Sequence, residues 1–160
     1  LRPHDPSFWP EDRAEADPDG SLAYIAVCWP ITDPPARYRM ARERSNVKLV
    51  AAHDAYFGNE ATMYDASPQR IVEQGEATSL PPLFIVQGTA DDNVTPDMAQ
   101  NFIDAYSRAG GDAEVHFFPG QPHSFIKEGD PVAAAQAKTL VAGFIRRQFA
   151  RVEQIAARNR

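Results

Sequence analysis

The chain has 160 residues, with one Cys, 14 Pro, and 16 Lys and Arg set against 22 Asp and Glu. That length builds one core of ordinary size and is short for two. A net charge of −6 speaks against a nucleic-acid or membrane-surface partner, and no apolar run is long enough to span a bilayer. A single thiol rules out an intrachain disulfide and a Cys cage for zinc.

Residues 1–20 are rich in Pro and acidic residues and close on Asp19-Gly20, which predicts an extended lead-in ending in a turn. The run Leu22 to Trp29, stopped by Pro30, reads as a strand buried on both faces, as in a parallel sheet. Asp33-Pro34-Pro35 is expected to bar helix for several residues. Ala, Arg and Glu then predict one or two helices over 36–57, ending near Tyr56-Phe57-Gly58-Asn59. Asp65-Ala66-Ser67-Pro68 reads as a turn into another short helical piece.

Pro81-Pro82 opens a second buried strand, Leu83 to Val86, that stops at Gln87-Gly88. Thr95-Pro96-Asp97 predicts a helix start in which Thr caps, Pro fits the first position and Asp faces the positive end of the dipole. Gly110-Gly111 ends that helix. A third strand runs from Ala113 to Phe118 and halts at Pro119-Gly120. After a loop, Asp130-Pro131 starts the last helix, with Val132, Leu140, Val141, Phe144, Ile145, Phe149 and Val152 on one face. Strands alternating with helices predict an α/β fold built on a parallel sheet.

In open α/β sheets the functional groups gather beyond the carboxyl ends of the strands. The second strand delivers Gly88-Thr89-Ala90-Asp91-Asp92-Asn93-Val94 there, and the third delivers His123-Ser124-Phe125. An acid after one strand and a His after the next can meet above the sheet edge. A carboxylate that accepts the imidazole Nδ1–H fixes the tautomer and stabilises the imidazolium formed when Nε2 takes a proton. Chain order Asp then His is that of the α/β-hydrolase triad, in which the nucleophile comes earlier still.

These segments carry a family resemblance. Gly88 to Pro96 is similar to the G-x-x-D-x-x-V acid loop of α/β-hydrolases, and His123-Ser124-Phe125 to their terminal H-[GS]-F segment. Both resemble esterases of the hormone-sensitive-lipase and feruloyl-esterase-like groups, and the acid loop also resembles that of prolyl-oligopeptidase-type serine peptidases. Trp29 to Asp33 resembles the segment after the sixth strand in such esterases, and Tyr56-Phe57-Gly58 with Ala66-Ser67-Pro68 resembles their cap-forming insertion. The similarity covers residues from about 20 to 150.

The resemblance implies Asp91 as triad acid, with the adjacent Asp92 as runner-up, and His123 as general base. It places Trp29 and Phe125 where relatives line the acyl or alcohol pocket, although packing serves either residue equally well. Asn93 either polarises a substrate carbonyl or holds its loop through an Asx turn. No metal or cofactor is called for. Cys28, at the end of a buried strand, reads as a core residue, and His116 as a sheet-face residue. His53 reads as an exposed helical residue, since the four His show no paired ligand spacing such as HExxH.

The departure from the pattern is the nucleophile. None of the seven Ser stands in a G-x-S-x-G elbow, and no HGGG-type oxyanion segment appears. In the family both precede the strand at 22–29, so the chain is expected to be the C-terminal part of an α/β-hydrolase domain. That part would comprise a lead-in at 1–20, a cap-like insertion at 36–80, and acid and His loops with closing helices at 81–156. The first residue is Leu, so the natural N-terminus is expected to be absent. The leading expectation is a carboxylic ester hydrolase of the Ser-His-Asp type, acting on a small-molecule ester and completed by an N-terminal half that bears the Ser. A prolyl-oligopeptidase-like serine peptidase and a nucleophile-free binding module are the alternatives. A homo-oligomer is left open, as is the compartment, although one Cys leans toward the cytoplasm.

Overall fold

The computed structural model describes residues 1–5 and 20–158, apart from the side chains of residues 155 and 156. The lead-in expected over 1–20 therefore lies, for residues 6–19, outside the described residues. Three strands, β1 (Ile25–Cys28), β2 (Leu83–Gly88) and β3 (Ala113–Phe118), form one parallel sheet in the order β1-β2-β3. Four helices separate β1 from β2: α1 (Pro34–Glu43), α2 (Val47–Phe57), α3 (Glu60–Asp65) and α4 (Pro68–Glu73). Helix α5 (Pro96–Arg108) joins β2 to β3, and α6 (Phe125–Glu128) and α7 (Pro131–Arg158) follow.

Strand β2 is buried along its whole length because it has a neighbour on each side and a helix on each face. Its alternation divides the core. Leu83 and Ile85 pack with Ala99, Phe102, Ile103 and Tyr106 of α5, while Phe84 and Val86 pack with Ala137 and Phe144 of α7. The Tyr106 hydroxyl, inside the first cluster, donates to the Pro81 carbonyl at 2.6 Å, and burial pushes its pKa up to about 12.

The elements depart from expectation in four places. Helix α1 starts at Pro34, where the Pro pair was expected to bar a helix. Both prolines occupy first-turn positions, where the missing N–H has no intrahelical partner to lose, and Asp33 Oδ1 caps Ala36 N at 3.0 Å. Thr95 stands at the N-cap of α5 as expected, yet its side chain makes no capping bond. Residues 125–128, expected as loop, form α6.

Finally, Val132, Phe149 and Val152 are 73%, 58% and 46% exposed, so they do not share the buried face of α7 that holds Ala137, Leu140, Val141, Phe144 and Ile145. Val132 turns away from a first turn whose Ala133 and Ala134 are packed, whereas Phe149 and Val152 lie toward the far end of a helix that, at ~42 Å for 28 residues, is about twice the length of a six-residue strand. Among the described residues no helix is long and apolar enough to cross a membrane.

Candidate active site

The loops after β2 and β3 are sewn together at the carboxyl edge of the sheet. Thr89 N donates to the Phe118 carbonyl and Ala90 N to the Gln121 carbonyl, each at 3.0 Å, and Gly120 N donates to Thr89 Oγ1 at 2.8 Å. Gly88 permits this approach, since a Cβ there would run into the Gln121 carbonyl.

The junction places Asp91 under His123. The Asp91 side chain is fully buried, and its carboxylate accepts four hydrogen bonds. Oδ1 takes the backbone N–H of Asn93 and of Val94, both at 2.9 Å. Oδ2 takes Gln87 Nε2 at 3.0 Å and His123 Nδ1 at 2.9 Å. All four partners donate, so the ionised carboxylate is the form that satisfies them. With Nδ1–H committed to Asp91, the lone pair of the neutral imidazole lies on Nε2. Asp92 points elsewhere: it is exposed, and its backbone carbonyl accepts from Arg44 Nη1 at 3.0 Å.

Two residues beside His123 have left-handed backbone without being glycine, Trp29 at φ 41° and Ser124 at φ 60°. Such conformations cost of order 1–3 kcal/mol each and concentrate at functional sites. Trp29 ends β1, with its N–H held by the Val86 carbonyl at 2.8 Å. The turn brings its ring edge-on to His123, centroids 5.7 Å apart, so Trp29 does stand beside the candidate base.

Phe125 lies on the other side of Trp29 at 5.8 Å, but it is fully buried against Phe118. It supports the His loop from within the core, which is the packing alternative of the two readings its motif left open. Asn93 is tied into the fold by Arg37, whose Nε donates to the Asn93 carbonyl at 3.0 Å and whose Nη2 donates to Asn93 Oδ1. Burial pulls the Arg37 pKa below its ordinary value, and the negative charge of Asp91 opposes that shift.

Sequence reasoning missed Gln87 and Arg37. Gln87 is fully buried and donates to Asp91 Oδ2 and, at 2.9 Å, to the Val94 carbonyl. A polar residue closing an otherwise apolar strand just before the acid loop was its available signal. Arg37 gave none, because 56 residues separate it from Asn93.

His53 was expected to be exposed, yet it is buried at 2% exposure because the two helices of the α1–α2 hairpin close over it. Half-buried Cys28 has its thiol pKa raised by burial, which suits a packing residue and opposes a thiolate nucleophile. His116 lies on the sheet face over Phe84, as expected. Among the described residues no group of three or more His, Cys, Asp or Glu could hold a metal ion.

Comparison with known proteins agrees with the fold. The family model described as the prolyl oligopeptidase family matches residues 38–151. Among solved structures, the chain resembles an esterase from the planctomycete Thermogutta terrifontis in its propionate-bound form. The TM-score is 0.63 at 21% identity, covering 89% of this chain and 48% of that one. The same esterase phosphonylated by sarin gives 0.65 at 20% identity, with 85% and 47% covered. Pyrococcus horikoshii acylaminoacyl peptidase gives 0.64 at 16% identity, with 79% and 20% covered. The shared feature is the fold, and the parallel sheet with flanking helices is part of an α/β-hydrolase fold. The chain spans about half the length of the esterase structures. No curated protein matches it.

Proposed function

The chain belongs to the prolyl oligopeptidase family, and from that premise we propose that it supplies the acid and the base of a serine hydrolase that cleaves carboxylic esters. The observation that carries this reading is the His123–Asp91 pair. A fully buried carboxylate, bonded on all sides, holds an imidazole that is 26% exposed beyond the strand ends. The Ser nucleophile and the oxyanion donors belong to a segment outside these 160 residues, since none of the seven Ser lies on a Gly-flanked elbow. The span of about half the esterase length supports that reading.

In the proposed reaction His123 Nε2 accepts the proton of the Ser hydroxyl as its oxygen bonds to the ester carbonyl carbon. The same proton then passes to the departing alkoxide, leaving an acyl-serine. Water attacks the acyl carbon, its proton goes to Nε2, and collapse of the second tetrahedral intermediate returns that proton to Ser. Asp91 stays ionised throughout and stabilises the transient imidazolium. Trp29, edge-on to His123, is the chain's nearest candidate wall for the acyl or alcohol group.

A second reading, amide or peptide hydrolysis by the same groups, is favoured by the family match. The helices α1 to α4 between β1 and β2 support the ester reading, as an insertion that shapes an apolar pocket like a cap. Parallel turnover of a p-nitrophenyl acyl ester and an N-acylaminoacyl anilide by the full-length protein separates the two. A fluorophosphonate probe tests both against the binding-module alternative. The polypeptide bearing the elbow Ser, whether continuous with this chain or a separate chain, is expected to label. No labelling of any purified, folded species would leave a non-catalytic module as the reading.

The buried Gln87 amide gives a further prediction. In Gln87→Leu, Asp91 Oδ2 keeps only the His123 bond, and one net hydrogen bond to a charged group is worth ~1.5 kcal/mol or more. The expected loss in kcat is about tenfold, with KM unchanged, because the bond positions the base and touches no substrate. Measured steady-state parameters equal to wild type would remove Gln87 from the machinery.

A further inference from the structure

The helices α1 and α2 enclose a cleft of about 450 Å³ lined mainly by apolar groups, among them Ile31, Pro34, Tyr56 and Phe57. That volume lies within the usual range of small-molecule sites. Its lip leaves Tyr56 83% exposed, with Phe57 packed edge-on at 4.7 Å.

His53 also lines the cleft, and it carries an unmet hydrogen bond. Its Nδ1 lies 2.8 Å from the Leu49 carbonyl one helical turn back. A carbonyl only accepts, so Nδ1 bears the proton, and in the neutral ring Nε2 is an acceptor. The ring is clamped between Tyr38, at 5.6 Å, and Phe57, stacked at 5.9 Å. Nε2 is buried with no hydrogen-bond partner among the described residues. A buried acceptor left unsatisfied costs ~1–3 kcal/mol, so a donor from the cleft is favoured there, and it reaches Nε2 as one of the two flanking rings shifts, because the nitrogen itself has no exposed surface. The Arg37 guanidinium in the same wall disfavours a cation, and the apolar lining disfavours an anion that needs solvation.

We propose that this cleft binds a neutral apolar group of about aromatic-ring size that carries one N–H or O–H donor, with His53 Nε2 as its acceptor. Arg37 joins the cleft to the acid loop, since the residue in its wall holds Asn93 two positions from Asp91. Use of the cleft as a substrate subsite rests on the hydrolase reading, whereas binding does not.

The test is isothermal titration of the full-length protein with indole against 1-methylindole, and with 4-ethylphenol against 4-ethylanisole. Each member of a pair has nearly the same apolar body, and only the first has a donor. At least one donor is expected to bind fivefold or more tighter than its methylated partner, and the pair that shows the gap tells N–H from O–H. His53→Leu should abolish that gap, while His123→Ala should leave it intact, which separates failure of the site from failure of the catalytic reading. Nitrogen-15 NMR of wild-type His53 checks the same bond without a variant: on binding, the Nε2 resonance should move upfield. Equal affinities within both pairs, an unmoved Nε2 resonance, or no binding to folded protein at millimolar probe would each overturn the proposal.

Discussion

Replacement of His123 by Ala is expected to lower ester turnover in the full-length protein by about 10⁴-fold or more, with substrate binding little changed. The size reflects what His123 alone can do at this edge of the sheet. Asp91 is fully buried and, once the His123 bond is lost, still accepts three hydrogen bonds, which leaves it a weak base set back beneath the position His123 vacates. His116 sits mid-strand on the sheet face, paired with Glu114 at 3.8 Å, and His53 lies within the α1–α2 hairpin. Neither can take over proton transfer to a Ser that His123 Nε2 would serve. Only oxyanion stabilisation and binding would survive, and these support a small residual rate. The measurement is kcat for a p-nitrophenyl ester, with folding verified by thermal unfolding. Turnover within tenfold of wild type would remove His123 as the base.

The parts of this site that could be read from sequence are those whose chemistry is local. Gly88 to Val94 is a turn whose geometry its own residues dictate: Asp91 caps the N–H groups two and three positions ahead, an Asx arrangement within the loop. That local closure separates Asp91 from Asp92, because the residue that bonds back into the loop is turned under it, while the next faces solvent. The run at β2 was legible for the same reason, since a strand covered on both faces shows as continuous apolar sequence whatever its partners, whereas β1, read from its sequence as equally buried, is only half-buried in the structure.

Long-range placement is what local patterns did not carry. Nothing near residue 37 signals that Arg37 closes on Asn93, and nothing near residue 53 signals that a neighbouring helix will cover His53. The misread face of α7 belongs to the same class: Val132, Phe149 and Val152 are apolar, but only the placement of the helix on the sheet decides which side chains are covered. Phe125 shows where a motif stops informing. The motif located the His loop correctly, yet the backbone reversal at Ser124 sends the next side chain down into the core.

Asp91→Asn is expected to cost about 10⁴-fold in kcat with the fold retained, and for a reason distinct from loss of charge alone. Four donors converge on the carboxylate: two backbone N–H groups on Oδ1, and Gln87 Nε2 with His123 Nδ1 on Oδ2. An amide has one acceptor atom and one donor group. If the introduced amide oxygen faces the loop, its NH₂ meets Gln87 Nε2 and His123 Nδ1. Nδ1 must then become the acceptor, which puts the proton on Nε2 and removes the lone pair that would activate Ser. If the oxygen faces His123, the NH₂ meets the N–H of Asn93 and of Val94, and the loop that carries the acid opens. Either way buried donors lose partners, each at ~1–3 kcal/mol, so stability falls together with activity. The neighbouring Asp92→Asn removes an exposed carboxylate and should leave both unchanged. Nitrogen-15 NMR of His123 reads the tautomer directly. A wild-type-like Nδ1–H signal in Asp91→Asn, together with wild-type turnover, would show that this carboxylate is not the orienting acid.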